Sequence, residues 1–285
     1  MTEIELSAGM IDYLDTGGDG PVIVLLHGLL MDNSLWASTL GQLSADFRCV
    51  APTLPMGAHR RPMRADADLS LAAIALLVAE FLDRLALCDV TLVGNDTGGA
   101  LVQLMVGQEA PRINRIMLTS CEAFDNFPAG ITGQSLALVG KLSPRLFGLF
   151  MQQLRFRPIR RLPLAFGWLT KRGDASTAQW TKPILQQPGI RRDAVRMLRA
   201  FGRGADILVQ AAEVLPAFDR PALVVWASED RVMPPAHGRR LAELLPQGQL
   251  IQIADSYTLL PLDQPDALAQ VIREFVQKPV GQDFS

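Results

Sequence analysis

Apolar and polar positions alternate in a regular way along the first part of the chain. Between residues 20 and 122, short apolar runs are separated by longer segments in which apolar residues recur at helical spacing. The runs have the length and β-branched content of buried strands, and they occupy residues 22–26, 47–51, 90–93 and 113–118. The longest segment between them, residues 69–87, has Asp68 or Ser70 available as an N-cap. This alternation predicts a parallel sheet covered by helices.

The pattern changes on both sides of this block. Before it, residues 4–6 and 10–14 have the pattern of two antiparallel strands joined through Gly9. After it, residues 123–216 contain helix-sized segments broken by seven prolines. Strand-like and helix-like segments then resume at residues 222–226, 237–245, 250–253 and 265–276. We therefore predict an α/β core formed by residues 1–122 and 217–285, with a helical cap at 123–216.

Composition narrows the class of protein. A chain of 285 residues with 49% hydrophobic and 20% charged content can bury one large core, with or without an inserted subdomain. The net charge of −2 lacks the basic excess of nucleic-acid binders, so we expect no nucleic-acid partner. The N-terminus has no signal-peptide pattern and no apolar run reaches about twenty residues, so we expect a cytoplasmic location and no membrane partner.

The cysteines indicate neither a disulfide framework nor a zinc site. Cys49, Cys88 and Cys121 are odd in number and widely spaced. We expect Cys49 and Cys88 to fill the core. No motif for a metal or an organic cofactor is present, and no pattern indicates an oligomeric state.

The most informative segment is residues 92–99, Leu-Val-Gly-Asn-Asp-Thr-Gly-Gly, which joins a predicted strand to a helix-like segment. A sharp turn between strand and helix needs small residues where the two elements cross, and Gly94, Gly98 and Gly99 meet that need. Asp96 lies at the apex, where the nucleophile of such a turn projects. The alternative is a closely packed glycine turn in which Asp96 only caps the helix.

Two further motifs accompany this turn. His27-Gly28-Leu29-Leu30 follows the strand at 22–26, and Ala-Ser-Glu-Asp-Arg-Val-Met-Pro at 227–234 follows the strand at 222–226. With the order of core and cap, these motifs resemble the α/β-hydrolase superfamily over essentially the whole chain. The aspartate at the turn resembles the branch of haloalkane dehalogenases and epoxide hydrolases. The resemblance implies an α/β-hydrolase fold, which is a mostly parallel sheet flanked by helices with an inserted helical cap.

The resemblance also implies roles for residues at the turn. Asp96 would attack an electrophilic carbon and form an ester. The N–H groups of Leu29 and Thr97 would form the oxyanion hole that stabilises charge when the ester is hydrolysed. Amides at a helix N-terminus favour an ionised Asp96, whereas burial beneath a cap opposes it.

The rest of the implied triad is incomplete. Asp230 corresponds to the acid that orients histidine. The histidine itself is implied seven residues before Pro265, and that position is occupied by Thr258. A threonine hydroxyl is a poor base near neutral pH, so a full triad does not carry over. One hypothesis is that Asp96 and Asp230 act as an acid and base across a gap filled by water or substrate.

Four further residues are candidates for contact with a substrate: His27, His59, Trp168 and Tyr257. His27 either shapes the loop before Gly28 or contacts substrate. His59 lies in the loop after the strand at 47–51, where ligands bind in parallel sheets, and would act as a base from an unusual direction. Tyr257 either donates a hydrogen bond to substrate or is buried. Trp168 either forms an apolar pocket wall or packs cap helices together.

Three other residues are weaker candidates. His237 opens a predicted helix and is expected to cap or solvate it. Glu122 and Asp125 follow the strand at 113–118, where related folds also carry an acid, but we expect both to be solvated.

Neither known activity of the implied branch carries over to this sequence. Thr97 occupies the position of the tryptophan with which dehalogenases hold the halide. Epoxide hydrolases have two tyrosines in the cap, but Tyr13 and Tyr257 both lie outside the predicted cap.

Our leading hypothesis is an enzyme that acts on a small apolar or cyclic organic molecule through Asp96, without a cofactor. It would hydrolyse with an atypical base or use Asp96 as an acid or base. The alternative is a non-hydrolytic descendant, either a ligand-binding protein or a cyclase- or lyase-type enzyme.

Overall fold

The computed structural model describes residues 2–107, 112–204 and 206–278, so the outer ends of the predicted core and residues 108–111 and 205 lie outside the described residues. Its centre is an eight-stranded sheet with the order β1-β2-β4-β3-β5-β6-β7-β8. The strands are β1 (Thr2–Leu6), β2 (Gly9–Asp15), β3 (Val22–Leu26), β4 (Arg48–Pro52), β5 (Val90–Asp96), β6 (Ile113–Cys121), β7 (Ala222–Ala227) and β8 (Gly248–Ile253).

The sheet is parallel from β4 to β8 and antiparallel at one edge. β1 and β2 form the predicted ribbon, in which Leu6 pairs with Gly9, and β2 also runs antiparallel to β4. The remaining neighbours pair in parallel. The predicted fold class, a mostly parallel sheet flanked by helices, is therefore confirmed.

Helices connect the strands and enclose them. They are α1 (Ala37–Leu43), α2 (Leu71–Arg84), α3 (Thr97–Gly107), α4 (Gly130–Val139), α5 (Pro144–Met151), α6 (Arg157–Arg160), α7 (Asp174–Trp180), α8 (Lys182–Gln186), α9 (Pro188–Phe201), α10 (Ile207–Val214), α11 (Pro235–Leu244), α12 (Leu260–Asp263) and α13 (Pro265–Gln277). Short 3₁₀ helices occupy Asn33–Trp36, Gln152–Arg155 and Leu215–Ala217. In the described ranges, no helix has the length and apolar character needed to cross a membrane.

The hydrophobic pattern explains these elements. β5 lies between β3 and β6, and all seven of its residues are buried because both faces of a parallel sheet are covered. α2 buries one apolar stripe, and the Ser70 side chain accepts a hydrogen bond from the Ala73 N–H at its start. Cys49 is buried as expected, but Cys88 is exposed, so its assignment to the core is wrong.

The described residues between β6 and β7 form helices and no strand. α9 contacts α4, α5 and α8, and it also contacts α2 of the core. α10 packs against α3, which follows the central strand β5, although α10 falls within the segment predicted as cap. The predicted cap boundaries, 123 and 216, stay predictions.

Candidate active site

Asp96 occupies a sharp turn that only small neighbours permit. β5 ends at Asp96, α3 begins at Thr97, and the φ angle of Asp96 is 57°. A Cβ atom at Gly94 would lie 2.3 Å from the Gly98 carbonyl oxygen, and one at Gly98 would lie 2.2 Å from the Leu26 carbonyl oxygen. These contacts have the strand–turn–helix geometry of a nucleophile elbow, with strained backbone at its apex.

The two predicted oxyanion-hole amides converge on one oxygen of Asp96. Oδ1 accepts hydrogen bonds from the Leu29 N–H at 3.0 Å and the Thr97 N–H at 2.8 Å, and the Thr97 hydroxyl lies 3.1 Å away. Among the described residues, none donates a hydrogen bond to Oδ2. The structure thus brings Asp96, Leu29 and Thr97 together with one carboxyl oxygen fixed and the other free.

A cavity of about 140 Å³ lies over this carboxyl group. Its wall is mostly apolar and comes largely from the helical segment between β6 and β7, including Leu136, Phe150, Leu154 and Leu164. Asp96 and Glu122 are the only ionisable side chains on the described wall. The site therefore offers two carboxyl groups to a small, mainly apolar ligand.

Glu122 is the residue that sequence reasoning misjudged. We expected it to be solvated, but its side chain is buried, and its Oε1 lies 3.3 Å from the Thr97 hydroxyl. Gln103 on α3 donates a hydrogen bond to the Glu122 carbonyl oxygen at 2.7 Å and holds this backbone in place. Asp125 is exposed as expected.

A β-bulge aims Glu122 inward. Asn95 pairs with Thr119 but Asp96 pairs with Cys121, so Ser120 is an extra residue in β6, and its φ is 25°. Bulges redirect the side chains that follow them and are common beside active sites. Strand alternation alone gives no signal for this bulge.

Burial raises the pKa of both cavity carboxyl groups. For Asp96, the hydrogen bonds from Thr97 and Leu29 oppose the effect of burial but do not cancel it. For Glu122, burial and the negative charge of Asp96 together place the pKa well above its ordinary value. Two carboxyl groups joined through one hydroxyl cannot both ionise readily, so Glu122 is the member that holds the proton.

Thr258 takes the position implied for histidine and contacts the implied acid. Its hydroxyl donates a hydrogen bond to Asp230 Oδ1 at 2.8 Å, and the N–H groups of Val232 and Met233 donate to the same oxygen. Burial raises the pKa of Asp230 to about 6 in spite of these bonds. Neither Thr258 nor Asp230 lines the cavity, so a direct pairing of Asp96 with Asp230 across it is not supported.

The predicted histidines have structural partners. The Leu54 N–H donates to His27 Nε2 at 2.8 Å, which leaves the proton on Nδ1 to bond the Gly28 carbonyl, and burial lowers the pKa of His27 to about 4. The Gly57 N–H donates to His59 Nδ1, and His59 Nε2 lies 3.5 Å from a buried oxygen of Asp193 on α9. His27 shapes the loop, and His59 connects the loop after β4 with α9. Neither side chain lines the cavity, and their predicted contact with substrate stays a prediction.

The remaining candidates are not part of the cavity wall either. The Tyr257 ring contacts two cations, the Lys171 ammonium at 5.0 Å and the Arg231 guanidinium at 4.6 Å from its centroid. Trp168 packs on the hydrophobic core, and His237 contacts the edge of Phe124. The predicted substrate contacts of Tyr257 and Trp168 are therefore not supported. No cluster of three or more His, Cys, Asp or Glu side chains within the described ranges is arranged to hold a metal ion.

Residues 21–265 match the family model for the alpha/beta hydrolase fold. The match covers most of the chain and includes the elbow, the Leu29 loop and the segment with Asp230. This protein belongs to the alpha/beta hydrolase family.

Relatives within this family act on small organic molecules. The chain is 26% identical to a cis-3-alkyl-4-alkyloxetan-2-one decarboxylase of Xanthomonas campestris pv. campestris, over 94% of this chain and 92% of the relative. It is 22% identical to a haloalkane dehalogenase of Mesorhizobium japonicum, over 98% and 92% respectively. The structure of a thermophilic esterase from Thermogutta terrifontis is similar in fold, with a TM-score of 0.74, 22% identity, and coverage of 97% of this chain and 98% of the esterase.

We expect Gly28→Ala to destabilise the protein. The added Cβ would lie 2.2 Å from Asp96 Oδ1, and the strained turn leaves the carboxyl group little room to move. Overpacking of this kind should lower the free energy of unfolding by about 1 to 3 kcal/mol. Urea denaturation of the variant and wild type measures this difference. Gly41→Ala is the matched control because no atom lies within 4 Å of its added Cβ. Equal stability of Gly28→Ala and Gly41→Ala would contradict the close approach.

We expect Asp230→Asn to change how stability depends on pH. The folded pKa, about 6, is above the ordinary value of 3.8, so the native state retains the proton and loses stability as pH rises between these values. The asparagine cannot ionise. The free energy of unfolding of the variant, relative to that of wild type, should therefore rise by on the order of 2 kcal/mol between about pH 4 and pH 8. Urea denaturation across this pH range measures the difference. Replacing the exposed Glu243 with Gln is the control, and a pH-independent difference for Asp230→Asn would refute the prediction.

Proposed function

We propose that this protein is an enzyme in which Asp96 attacks an electrophilic carbon of a small, mainly apolar molecule, while Glu122 serves first as acid and then as base. The observation that carries the proposal is the asymmetry of the Asp96 carboxyl group. Oδ1 is bound by two backbone amides, Oδ2 is free, and the cavity beside them contains a second carboxyl group, whose pKa is raised by burial.

The first step uses the free oxygen. Oδ2 forms a bond to a substrate carbon, and the bond from that carbon to its leaving group breaks. When the leaving group is an oxygen, as in a strained cyclic ether, it takes the proton of Glu122. Burial supports this role because it raises the pKa of Glu122 well above its ordinary value and so favours the protonated form.

The second step uses the same glutamate in its ionised form. After an oxygen leaving group has taken its proton, Glu122 takes a proton from water, and the hydroxide attacks Cγ of the Asp96 ester. After a halide has left, Glu122 first releases its proton to solvent, because formation of the ester removes the Asp96 charge that raises its pKa. Charge that develops on Oδ1 is stabilised by the N–H groups of Leu29 and Thr97. The departing alkoxide takes the proton of the newly formed Asp96 acid, so Asp96 is ionised and Glu122 protonated again.

The cavity and the relatives support an apolar organic substrate. Apart from the two carboxyl groups, the wall offers mainly aliphatic and aromatic contacts, with few polar groups to recognise a charged molecule. One relative decarboxylates a dialkyl oxetan-2-one and another is a haloalkane dehalogenase. Both names indicate a carbon centre that bears a leaving group or lies in a strained ring.

A second candidate is a reaction that consumes no water, such as decarboxylation of a strained lactone. The specific observation in its favour is that the Thr258 hydroxyl donates a hydrogen bond to Asp230. Asp230 is the acid that would otherwise orient a catalytic histidine. Product analysis separates the two candidates, since hydrolysis incorporates oxygen from water labelled with the heavy isotope and decarboxylation does not.

Two carboxyl variants should separate the chemical steps. Asp96→Asn should lose turnover by at least about a thousandfold and form no covalent adduct, because its amide cannot attack carbon. Glu122→Gln should still form the ester with an alkyl bromide, whose halide leaves without a proton, but should react slowly with an epoxide. Hydrolysis of the ester should slow by about 100- to 10,000-fold in this variant, so the adduct accumulates.

Intact-protein mass spectrometry with both probes measures these outcomes, and circular dichroism checks that each variant is folded. An adduct that forms equally in Asp96→Asn would show that another residue is the nucleophile. Unchanged turnover of the epoxide in Glu122→Gln would remove Glu122 from the mechanism and leave only the role of Asp96.

Introducing the missing histidine gives an independent test of the second step. In a Glu122→Gln background, Thr258→His should restore hydrolysis of the accumulated ester, because an imidazole beside Asp230 would supply the lost base. The matched control is Thr258→Val in the same background, which removes the hydroxyl without adding a base. Persistence of the adduct in a folded Thr258→His variant would show that an imidazole at this position cannot reach the ester.

A further inference from the structure

The cap contains a long segment with basic residues and no acidic ones. Residues 126–173 carry eight lysines and arginines and not one aspartate or glutamate. The whole chain has a net charge of −2, so the remainder is clearly acidic. Positive charge is therefore concentrated on one part of the molecule.

Several of these cations have no acidic partner among the described residues. Arg157 and Arg160 pair with Asp174, and Lys171 and Arg172 pair with Asp255. The other four are exposed, and no described carboxylate pairs with them: Lys141, Arg145, Arg155 and Arg161. Their charge is available to an external anion.

The same segment exposes large apolar side chains. Of the twelve such side chains that the described residues expose, nine lie between residues 131 and 164. α5 shows the arrangement clearly. Phe147 and Met151 are buried on one side, whereas Leu146, Leu149 and Phe150 are exposed at helical spacing on the other. We call the exposed side chains of residues 141–164 the cap patch.

The cap patch includes the mouth of the cavity. Phe150 and Leu164 both line the cavity and are exposed, at 47% and 58%. Leu154, which lies between these two residues in the sequence, also lines the cavity and is half-buried. An apolar path therefore runs from the cap patch toward the carboxyl group of Asp96.

We propose that the cap patch docks on the surface of an anionic lipid membrane, from which the cavity takes an apolar substrate that is dissolved in the bilayer. Surface-bound proteins combine exposed leucine and phenylalanine with lysine and arginine in this way, because the apolar side chains enter the headgroup region and the cations contact lipid phosphates. The inference about substrate rests on the function proposed above, whereas docking itself does not.

Charge favours a membrane over a second copy of the chain. In a two-fold dimer the same patch meets itself, so Arg145 and Arg155 of one copy would face the cations of the other copy. Residues 126–173 contain no aspartate or glutamate that could pair with these cations. An anionic bilayer supplies the opposite charge. Our expectation from sequence that the protein has no membrane partner considered only spanning segments, and surface docking requires none.

Vesicle co-sedimentation tests the proposal directly. Wild type should bind vesicles of phosphatidylcholine with about 30% phosphatidylglycerol, and should bind pure phosphatidylcholine much more weakly. The bound fraction should fall sharply in about 0.5 M NaCl because salt screens the cations. Replacing Arg145 and Arg155 with Gln should weaken binding about fivefold for each charge removed.

The apolar part is tested with residues that do not line the cavity. A triple variant, Leu146→Gln, Leu149→Gln and Phe156→Gln, should lose most binding to anionic vesicles. The matched controls are Leu76→Gln on α2 and Arg239→Gln on α11, which remove an exposed leucine and an exposed arginine outside the cap patch and should bind as wild type does.

Three outcomes would overturn the proposal: no binding to anionic vesicles, equal binding to neutral and anionic vesicles, or unchanged binding of both cap-patch variants. Light scattering provides a further check. A dimer that the triple variant converts to a monomer would show that a second copy covers the patch. Asp96→Asn should bind vesicles as wild type does, so a failure of the proposed chemistry leaves this test intact.

Discussion

The close approach of the Leu29 loop to the turn at Asp96 is the constraint on which the site depends. The loop at the end of β3 and the crossing of β5 with α3 meet with no room for a side chain at Gly28 or Gly98. Two backbone amides therefore reach one oxygen of Asp96 without any movement of the chain. The amides are fixed by the sheet, so the polar environment of this carboxyl group is set before a ligand enters.

The same constraint determines what kind of chemistry the remaining groups can supply. Asp96 is desolvated, and its only ionisable neighbour on the described cavity wall is another carboxyl group, Glu122. The Thr97 hydroxyl lies within hydrogen-bond distance of both, so protonation of one acid alters the other. In the mechanism proposed above, Glu122 takes the acid and base role that an imidazole usually plays, and Asp96 remains the nucleophile.

Much of the architecture could be predicted from sequence because it depends on local periodicity. The strands, the helix capped by Ser70 and the sharp turn at Asp96 follow from short-range patterns and their order, whereas the meeting of Leu29 with Thr97 is implied by the family resemblance. Glu122 could not be predicted, because its direction depends on one extra residue in β6. Tyr257 lies next to Thr258 in the chain, but its ring contacts two cations, Lys171 and Arg231, which only tertiary structure reveals. His59 likewise has its partner, Asp193, far away in the sequence.

The loop that contains Thr258 is held by its backbone rather than by its side chain. The Asn95 amide, one residue before Asp96, donates to the carbonyl oxygens of both Thr258 and Thr119, at 2.8 Å and 2.9 Å. The Leu259 N–H bonds the Leu169 carbonyl, and the Tyr257 N–H bonds Asp263. Exchange of the residue at 258 therefore does not require the loop to refold. One substitution at this position can therefore place an imidazole beside Asp230 or remove it, while the scaffold that holds the loop stays the same.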